Sequence, residues 1–515
     1  VLKDIKIDKR LEFLPYFSSN ISGERSTSVE KLQYGKPNIN VGLGVNLDLN
    51  KNTSLEFTIN PDFSQVEADV SQIDVNSSFS LLYPERRPFF NRGADLVNFT
   101  DGAFNSRSIA EPIFASKIIS QGKKSRFFAL NALDNATPYL VGGEDRSYIG
   151  NGGKSLVNVF RYQNLLSNKA RFGALLTSRF YDGGGYGHLV GVDGLFLLNK
   201  KWRLSFEMFK NVNKEPVQNW IETDETIQGR TIALDGDKIN GDALYVQLYR
   251  NTEHWQSYFF YRNISPQYRA DVGFVVKNNR RWGTVFHQYQ NIINKPGLQS
   301  FGFGTKIDVV YTFEDLYKNF SIDFFAFLKT FGQTELKYTV DYDAVKTFLG
   351  IRYTDLPTHE FSISGSPSEL FNFKLNLVAG KDLSVNELTP EVGLLRSAFL
   401  TFGIQVNDNI NINPSLRYSR LGRINDNSDY FKGSIARLSI RYQFNQAFNI
   451  RIITEKNSFR DQFFIQPLVQ WNPNPSTIFY FGGNQTTIEN LEDAHFQILQ
   501  FNRSQLFVKF QYLID

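Results

Sequence analysis

One stretch of this chain crowds carboxylates and guanidinium groups together: Asp62, Glu67, Asp69, Asp74, Glu85 and Asp95 stand beside Arg86, Arg87 and Arg92. Residue types in that mixture do one of two things. Carboxylate oxygens can gather a cation, because calcium takes six to eight oxygen ligands. Otherwise the charges pair with one another, because a charge taken out of water must find a partner. The spacing Asp62…Glu67…Asp69 is not that of an EF-hand loop, so calcium there is the weaker alternative, and no other metal site is expected. The pairing reading makes residues 62–111 a folded segment held in or over a larger structure. Its candidate network is Asp62, Phe63, Glu67, Asp69, Asp74, Glu85, Arg86, Arg87, Phe89, Phe90 and Arg92. Phe63, Phe79, Tyr83, Phe89 and Phe90 should be largely buried, since burying each apolar side chain yields roughly 1.5–3 kcal/mol. Arg86 and Arg87 should meet carboxylates of the segment or of its surroundings, in planar two-pronged contact.

Catalytic chemistry is harder to find. The chain has no cysteine, which removes thiol nucleophiles and Cys-based metal centres. No two of His188, His254, His287, His359 and His495 share a ligand spacing. His188 and His287 lie in strand-like stretches that could face outward, but no serine neighbourhood marks either one in the sequence. His254 falls in a short turn and His359 in a stretch that reads as irregular. There is no Gly-x-Ser-x-Gly elbow and no phosphate-cradling loop. No catalytic residue, no cofactor and no enzymatic activity are expected.

The elements that position these residues are strands. In 434–444, Ser434, Ala436, Leu438, Ile440, Tyr442 and Phe444 fall on one face and Ile435, Arg437, Ser439, Arg441 and Gln443 on the other. The same alternation puts Ile450, Ile452, Phe402, Ile404, Leu204 and Phe206 on an apolar face. Arg451, Gln405, Arg417, Arg203 and Glu207 fall on the polar one. Aromatics make up 15% of the chain, with 48 Phe and 24 Tyr, while mean hydropathy is −0.31. A membrane barrel reconciles the two by presenting grease to lipid and hiding polar groups in the lumen. No run approaches the roughly 18–20 apolar residues of a spanning helix. Lys+Arg 56 against Asp+Glu 52 leaves +4, which gives no footprint for nucleic acid.

Very short turns, near 50–53, 199–201, 252–254 and 408–409, alternate with longer polar connections, near 135–154, 213–241, 265–280, 384–394 and 486–494. The fold class is therefore all-β: one antiparallel transmembrane barrel over 1–515, of about 24 strands within roughly 16–26. Residues 336–364 pair poorly in this reading. Residues 62–111 are a plug- or lid-like insert, since unstructured connections beyond about 15 residues are uncommon. Short turns belong at the periplasmic rim, so both termini should be periplasmic. Residue 1 begins no targeting pattern, so any signal peptide is expected to be already gone. Trp202, Trp255, Trp282 and Trp471 read as interface-girdle residues. Trp220, in the 213–241 loop, reads as the better candidate for ligand or partner contact.

Two runs carry a family resemblance: Asn60-Pro61-Asp62-Phe63-Ser64-Gln65-Val66-Glu67-Ala68-Asp69, and Tyr83-Pro84-Glu85-Arg86-Arg87-Pro88-Phe89-Phe90. They resemble the signature of a Bacteroidota outer-membrane family of unknown function. In it a carbohydrate-binding-family-9-like domain usually precedes a large barrel. Arg10-Leu11-Glu12-Phe13-Leu14-Pro15-Tyr16 is similar to that family's entry into the barrel. The stretch 70–79 departs from the family's usual run between the two motifs. No part of 1–515 reads as the sugar-binding domain, so no saccharide role is carried over. The resemblance implies a barrel and an outer-membrane location but no activity.

The functional expectation is an accessory or structural subunit of a larger outer-membrane complex, serving secretion, protein insertion or uptake. Its partners would be the lipid bilayer, lipopolysaccharide and other outer-membrane proteins or lipoproteins. The alternative is a stand-alone gated channel for a small hydrophilic solute or oligosaccharide. An outer-membrane hydrolase is the third reading.

Overall fold

The computed structural model describes residues 10–25, 31–61, 76–85, 87–167, 170–227, 229–426, 428–474, 477–488 and 501–514. Twenty-four long antiparallel strands run from Leu11–Glu24 to Phe501–Gln511, each bonded to the next around the sheet. The first pairs with the last, from Tyr16↔Gln511 to Glu24↔Arg503, which closes the barrel. Closure leaves no unpaired strand edge, the condition for a sheet to cross lipid. Among the described residues no helix is long and apolar enough to cross a membrane. Among the described residues of the insert, helical structure is limited to Pro88–Asn91 and two single turns, Ala94–Leu96 and Ser106–Ser108.

Register fixes which side chains look outward. Cross-strand partners Leu438 and Thr454, Ile440 and Ile452, and Tyr442 and Ile450 share the outer face. Arg437 and Glu455 share the inner one and form an ion pair at 2.9 Å. Outward Val190, Phe303 and Phe324 are each more than half exposed. A continuous exposed apolar band of this kind is tolerated only against lipid. At the short-turn end the band finishes in rings: Trp255 stacks on His287 at 4.6 Å, and Tyr442, Phe444 and Phe448 form a chain with centroids 4.5 and 5.0 Å apart. Trp202, Trp255 and Trp471 face outward there, as an interface girdle requires.

Trp282 does not belong to the girdle. It faces the lumen, donates its indole N–H to Asp308 Oδ1 at 2.9 Å and lies edge-on to Phe260. Its position near a strand end misleads because inward and outward residues alternate there as elsewhere. The stretch 336–364 is regular too. Glu335–Phe348 and Ile351–Ser368 pair from Glu335↔Ser364 to Phe348↔Ile351. The register against the preceding strand slips between Phe320 and Ser321, so Asp343 and Lys346 are both lumenal and the sequence alternation breaks. His359 is therefore a strand residue, its Nδ1 2.8 Å from the Tyr338 hydroxyl.

The loops at the other end build their own core. The connection after Ser125–Asp134 contains a hairpin, Thr137–Gly142 with Ser147–Gly152. Its Tyr139 and Val141 pack with Tyr181, Ile221, Ile232 and Leu234, and Trp220 lies against this cluster, 5.9 Å from both tyrosine rings. Trp220 thus packs, half-buried, within the loop core. Some connections at this end are short; in one, Gly183, Gly184 and Gly185 turn the chain with φ of 85°, 99° and 90°, a region other residues rarely adopt.

Candidate functional site: the insert against the lumen wall

The chain leaves the wall after Thr53–Ile59 and re-enters it at Pro112–Gln121, at the long-loop end. Of the segment between, residues 60–61, 76–85 and 87–111 are described. Asp62, Phe63, Glu67, Asp69, Asp74 and Arg86 lie outside the described residues, and so does the calcium expectation. From residue 89 to 109 the segment lies along the inner wall. Phe90, Leu96, Val97, Ala103 and Ile109 are at most 5% exposed. They join one cluster with lumen-facing Ile119, Phe128, Leu130, Val157, Leu175 and Phe209. Phe99 meets Phe209 edge to face at 5.3 Å. The inner side of this patch of wall is apolar between its charged residues, and the insert covers it.

Charge then pins the rim of the patch. Arg87 bridges the two ends of the segment. It forms a two-pronged pair with Glu85 (Nε–Oε1 2.9 Å, Nη2–Oε2 2.7 Å) and donates to the carbonyls of Ile109 (2.6 Å) and Ser106 (2.8 Å). Ser106 donates its hydroxyl to Glu85 Oε2 at 2.6 Å. Burial pushes the Glu85 carboxyl up, but Arg87 and Ser106 outweigh it and hold its pKa at about 2. Arg92 reaches the wall carboxylate of Glu56 at 3.1 Å, and Lys117 reaches the same carboxylate at 2.9 Å. Lys117, 1% exposed, also donates to the carbonyls of Phe89 and Arg92.

Deeper along the segment, Arg161 pairs with Asp193 and donates its Nε to Leu96 O at 2.9 Å. Glu207 Oε1 accepts the Thr100 N–H and hydroxyl, both at 3.0 Å. Asp101 pairs with Arg262, yet burial still leaves its carboxyl above the ordinary range. Arg179 donates to Ser108 O at 2.8 Å, and Asp134 accepts the N–H groups of Ala110 and Glu111. The segment is further tied to loop 265–279, through Asn105 N to Val272 O and Phe274 N to Gly102 O, both 2.8 Å. Gly102 sits at φ 63°, and a Cβ there would stand 2.4 Å from Phe274 O.

Glu85, Arg87, Phe89, Phe90 and Arg92 are therefore brought together, Arg87 with a carboxylate of the segment and Arg92 with one of the wall. Phe90 is buried, but Phe79, Tyr83 and Phe89 are only half-buried, short of the burial expected for them. Those three carry cations on their faces instead. Lys277 lies over Phe79 at 4.1 Å, Arg107 over Tyr83 at 5.8 Å and Lys117 over Phe89 at 4.5 Å. Sequence reasoning missed Glu56, Lys117, Arg161, Asp193, Arg179 and Arg262. The signal available was a charge flanked by apolar residues on the inner face of a strand, such as Lys117 between Ala115 and Ile119.

One pairing across strands has catalytic types. Ser257 Oγ lies 2.7 Å from His287 Nδ1 on the outer wall, a serine neighbour that strand pairing creates and sequence order hides. No carboxylate or carboxamide partner orients this ring among the contacts of the described residues, and Trp255 stacks on it, so the pair sits within the aromatic girdle. Among the described residues no three His, Asp or Glu side chains converge as a metal site would need.

Residues 8–128, which span the first strands and the insert, match the model of a domain of unknown function, DUF5916. No curated protein matches the chain. Solved structures similar to it are barrels. The siderophore receptor PiuA from Acinetobacter baumannii is 9% identical, over 97% of this chain and 82% of that one, with a TM-score of 0.43. The copper transporter OprC is 9% identical, over 78% and 79%, at 0.47. OccAB4 from Acinetobacter baumannii is 9% identical, over 98% of both chains, at 0.30.

Proposed function

We propose that this protein is an outer-membrane barrel occluded by its own insert, working as an accessory or structural subunit of a larger outer-membrane assembly for secretion, protein insertion or uptake. The observation that carries this is how the insert is held. Lifting it would expose Phe90, Leu96, Val97, Phe99 and Ile109, which costs roughly 8–15 kcal/mol at 1.5–3 kcal/mol each. At a factor of ten per 1.4 kcal/mol, about one molecule in 10⁵ or fewer would stand open unaided. A barrel that conducts alone cannot work at that occupancy. A partner that binds the displaced insert, or one that only needs the barrel as a wall, can.

In this reading both termini and the short turns face the periplasm, and the loop core around Tyr139 and Trp220 faces outward. The partners are lipid, lipopolysaccharide and neighbouring outer-membrane proteins or lipoproteins. No catalytic step is assigned. Purification from native membranes in mild detergent tests the reading: a reproducible stoichiometric partner is expected, with no conductance from the barrel alone in a planar bilayer. A barrel that purifies alone and conducts would favour the second reading, a stand-alone gated channel.

A further inference from the structure

A cavity of about 280 Å³ opens at the long-loop end, enclosed by the start of the insert, the 137–152 hairpin, loop 265–279 and the inner wall. Four cations line it: Lys277, Arg280, Lys318 and Lys346. Two are neutralised. Lys318 pairs with Glu144 and, at 2.7 Å, with Asp145. Lys346 pairs with Asp382 at 3.3 Å and Asp343 at 3.6 Å. Lys277 and Arg280 have no carboxylate partner among the described residues. Each rests instead on a ring, Lys277 on Phe79 and Arg280 on Trp282 at 5.1 Å, which leaves N–H groups available. Burial, joined by Arg280 and Lys346 and opposed by Asp145, lowers the Lys277 pKa to about 8.

Several of the neutral hydrogen-bonding groups around the cavity are already engaged. Asn76 holds Leu383 O and the Val385 N–H, and Asn278 holds the carbonyls of Gly142 and Pro266. Ser77 donates to Phe79 O. These bonds fix the walls, and of the four lining cations Lys277 and Arg280 keep donors that no carboxylate of the described residues takes up. An anion finds two cations without carboxylate partners in a preformed site. The volume equals roughly nine waters, room for a small solute.

We infer that this cavity is a binding site for a small soluble oxyanion, phosphate-, sulfate- or carboxylate-bearing, held by Lys277 and Arg280. Its walls face the lumen, so a lipid headgroup does not reach it. Because Asn76 and Phe79 belong to the insert, the bound anion also fastens the start of the insert to the wall.

Titration calorimetry on the whole barrel in detergent, with sulfate, phosphate and citrate against glucose, tests the site. Binding of at least one oxyanion at millimolar or lower concentration is expected, and none of glucose. Lys277→Gln and Arg280→Gln should each weaken it about ten-fold or more, as loss of a charged hydrogen bond does. Lys337→Gln, a lumenal lysine away from the cavity, should leave it unchanged. Sulfate, whose charge is constant here, should bind more weakly at pH 9 than at pH 7 as Lys277 gives up its proton. Heat-modifiable gel mobility reports folding. Should Arg280→Gln fail to fold, Lys277→Gln, in a loop outside the wall, decides. No oxyanion binding, equal binding of glucose, or unchanged affinity in Lys277→Gln would overturn the inference.

Discussion

At the scale of residues, the insert is held by a few charges whose partners are buried with them. Glu56 is the clearest, because buried Lys117 pairs with it and half-exposed Arg92 reaches it too. Removing one member of such a set leaves the other charges uncompensated and costs about 3–5 kcal/mol, whereas an apolar replacement of the pair is often neutral. Glu56→Leu should therefore expose the insert to trypsin at its arginines, and Glu56→Leu with Lys117→Met should restore much of the protection. Equal cleavage of wild type and Glu56→Leu would show that the apolar contacts hold the segment alone. Glu85 adds a pH dependence. Its folded pKa, about 2, lies below the ordinary 4.5. A lowered carboxylate contributes stability that is present above about pH 4.5 and lost as pH falls toward 2. Asp101 works the other way, since its raised carboxyl makes the folded state relatively more favourable in acid. The Glu85 network closes both ends of the segment, so proteolytic release of the insert should rise between pH 4.5 and 2. In Glu85→Gln that rise should be blunted and cleavage at neutral pH increased.

At the scale of elements, the strands were legible and their neighbours were not. Period-two alternation places Leu438, Ile440, Arg437 and Arg441 on their faces because a strand has no other way to turn its side chains. It places Glu207 and Arg203 in the lumen for the same reason. Alternation carries no information about what sits across the sheet or inside it. Ser257 beside His287, Trp282 against Asp308 and Arg161 against Leu96 O are products of register and of the insert's path. Glu85 and Arg87 were recoverable because their partnership is local, two residues apart. The insert's seat is the place where an element can be broken cleanly. Gly102→Val forces both a strained φ and a clash with Phe274 O, so it should detach the segment from loop 265–279. The barrel itself should persist, with heat-modifiable mobility intact and increased protease cleavage confined to 87–111. Replacing 76–110 with a short flexible link should go further and admit large antibiotics to cells. A correctly folded deletion with unchanged permeability would make the insert a docking surface instead of an occluder.

At the scale of the whole molecule, the remaining question is whether the insert ever has to move. The barrel is self-sufficient without motion, since its edge is closed and its outer face carries an apolar band. The insert covers apolar wall that would otherwise face an aqueous lumen, and a wall serving only as a channel lining would be polar there. That arrangement suits a permanent fill, and it also suits a segment that a partner replaces with apolar surface of its own. The two differ in what a tether does. The chain has no cysteine, so thiols introduced at Thr100 and Glu207, whose side chains meet at 3.0 Å, are the only reactive ones present. A short thiol-specific crosslinker between them would pin the segment to the strand Trp202–Lys214. If the insert is a permanent fill, the linked protein should keep its native partner and support growth as well as the unlinked double variant. If a partner must displace it, linking should leave the barrel folded and abolish function, and reductive cleavage of a disulfide-containing linker should restore it. The size of the buried apolar cluster favours the first outcome.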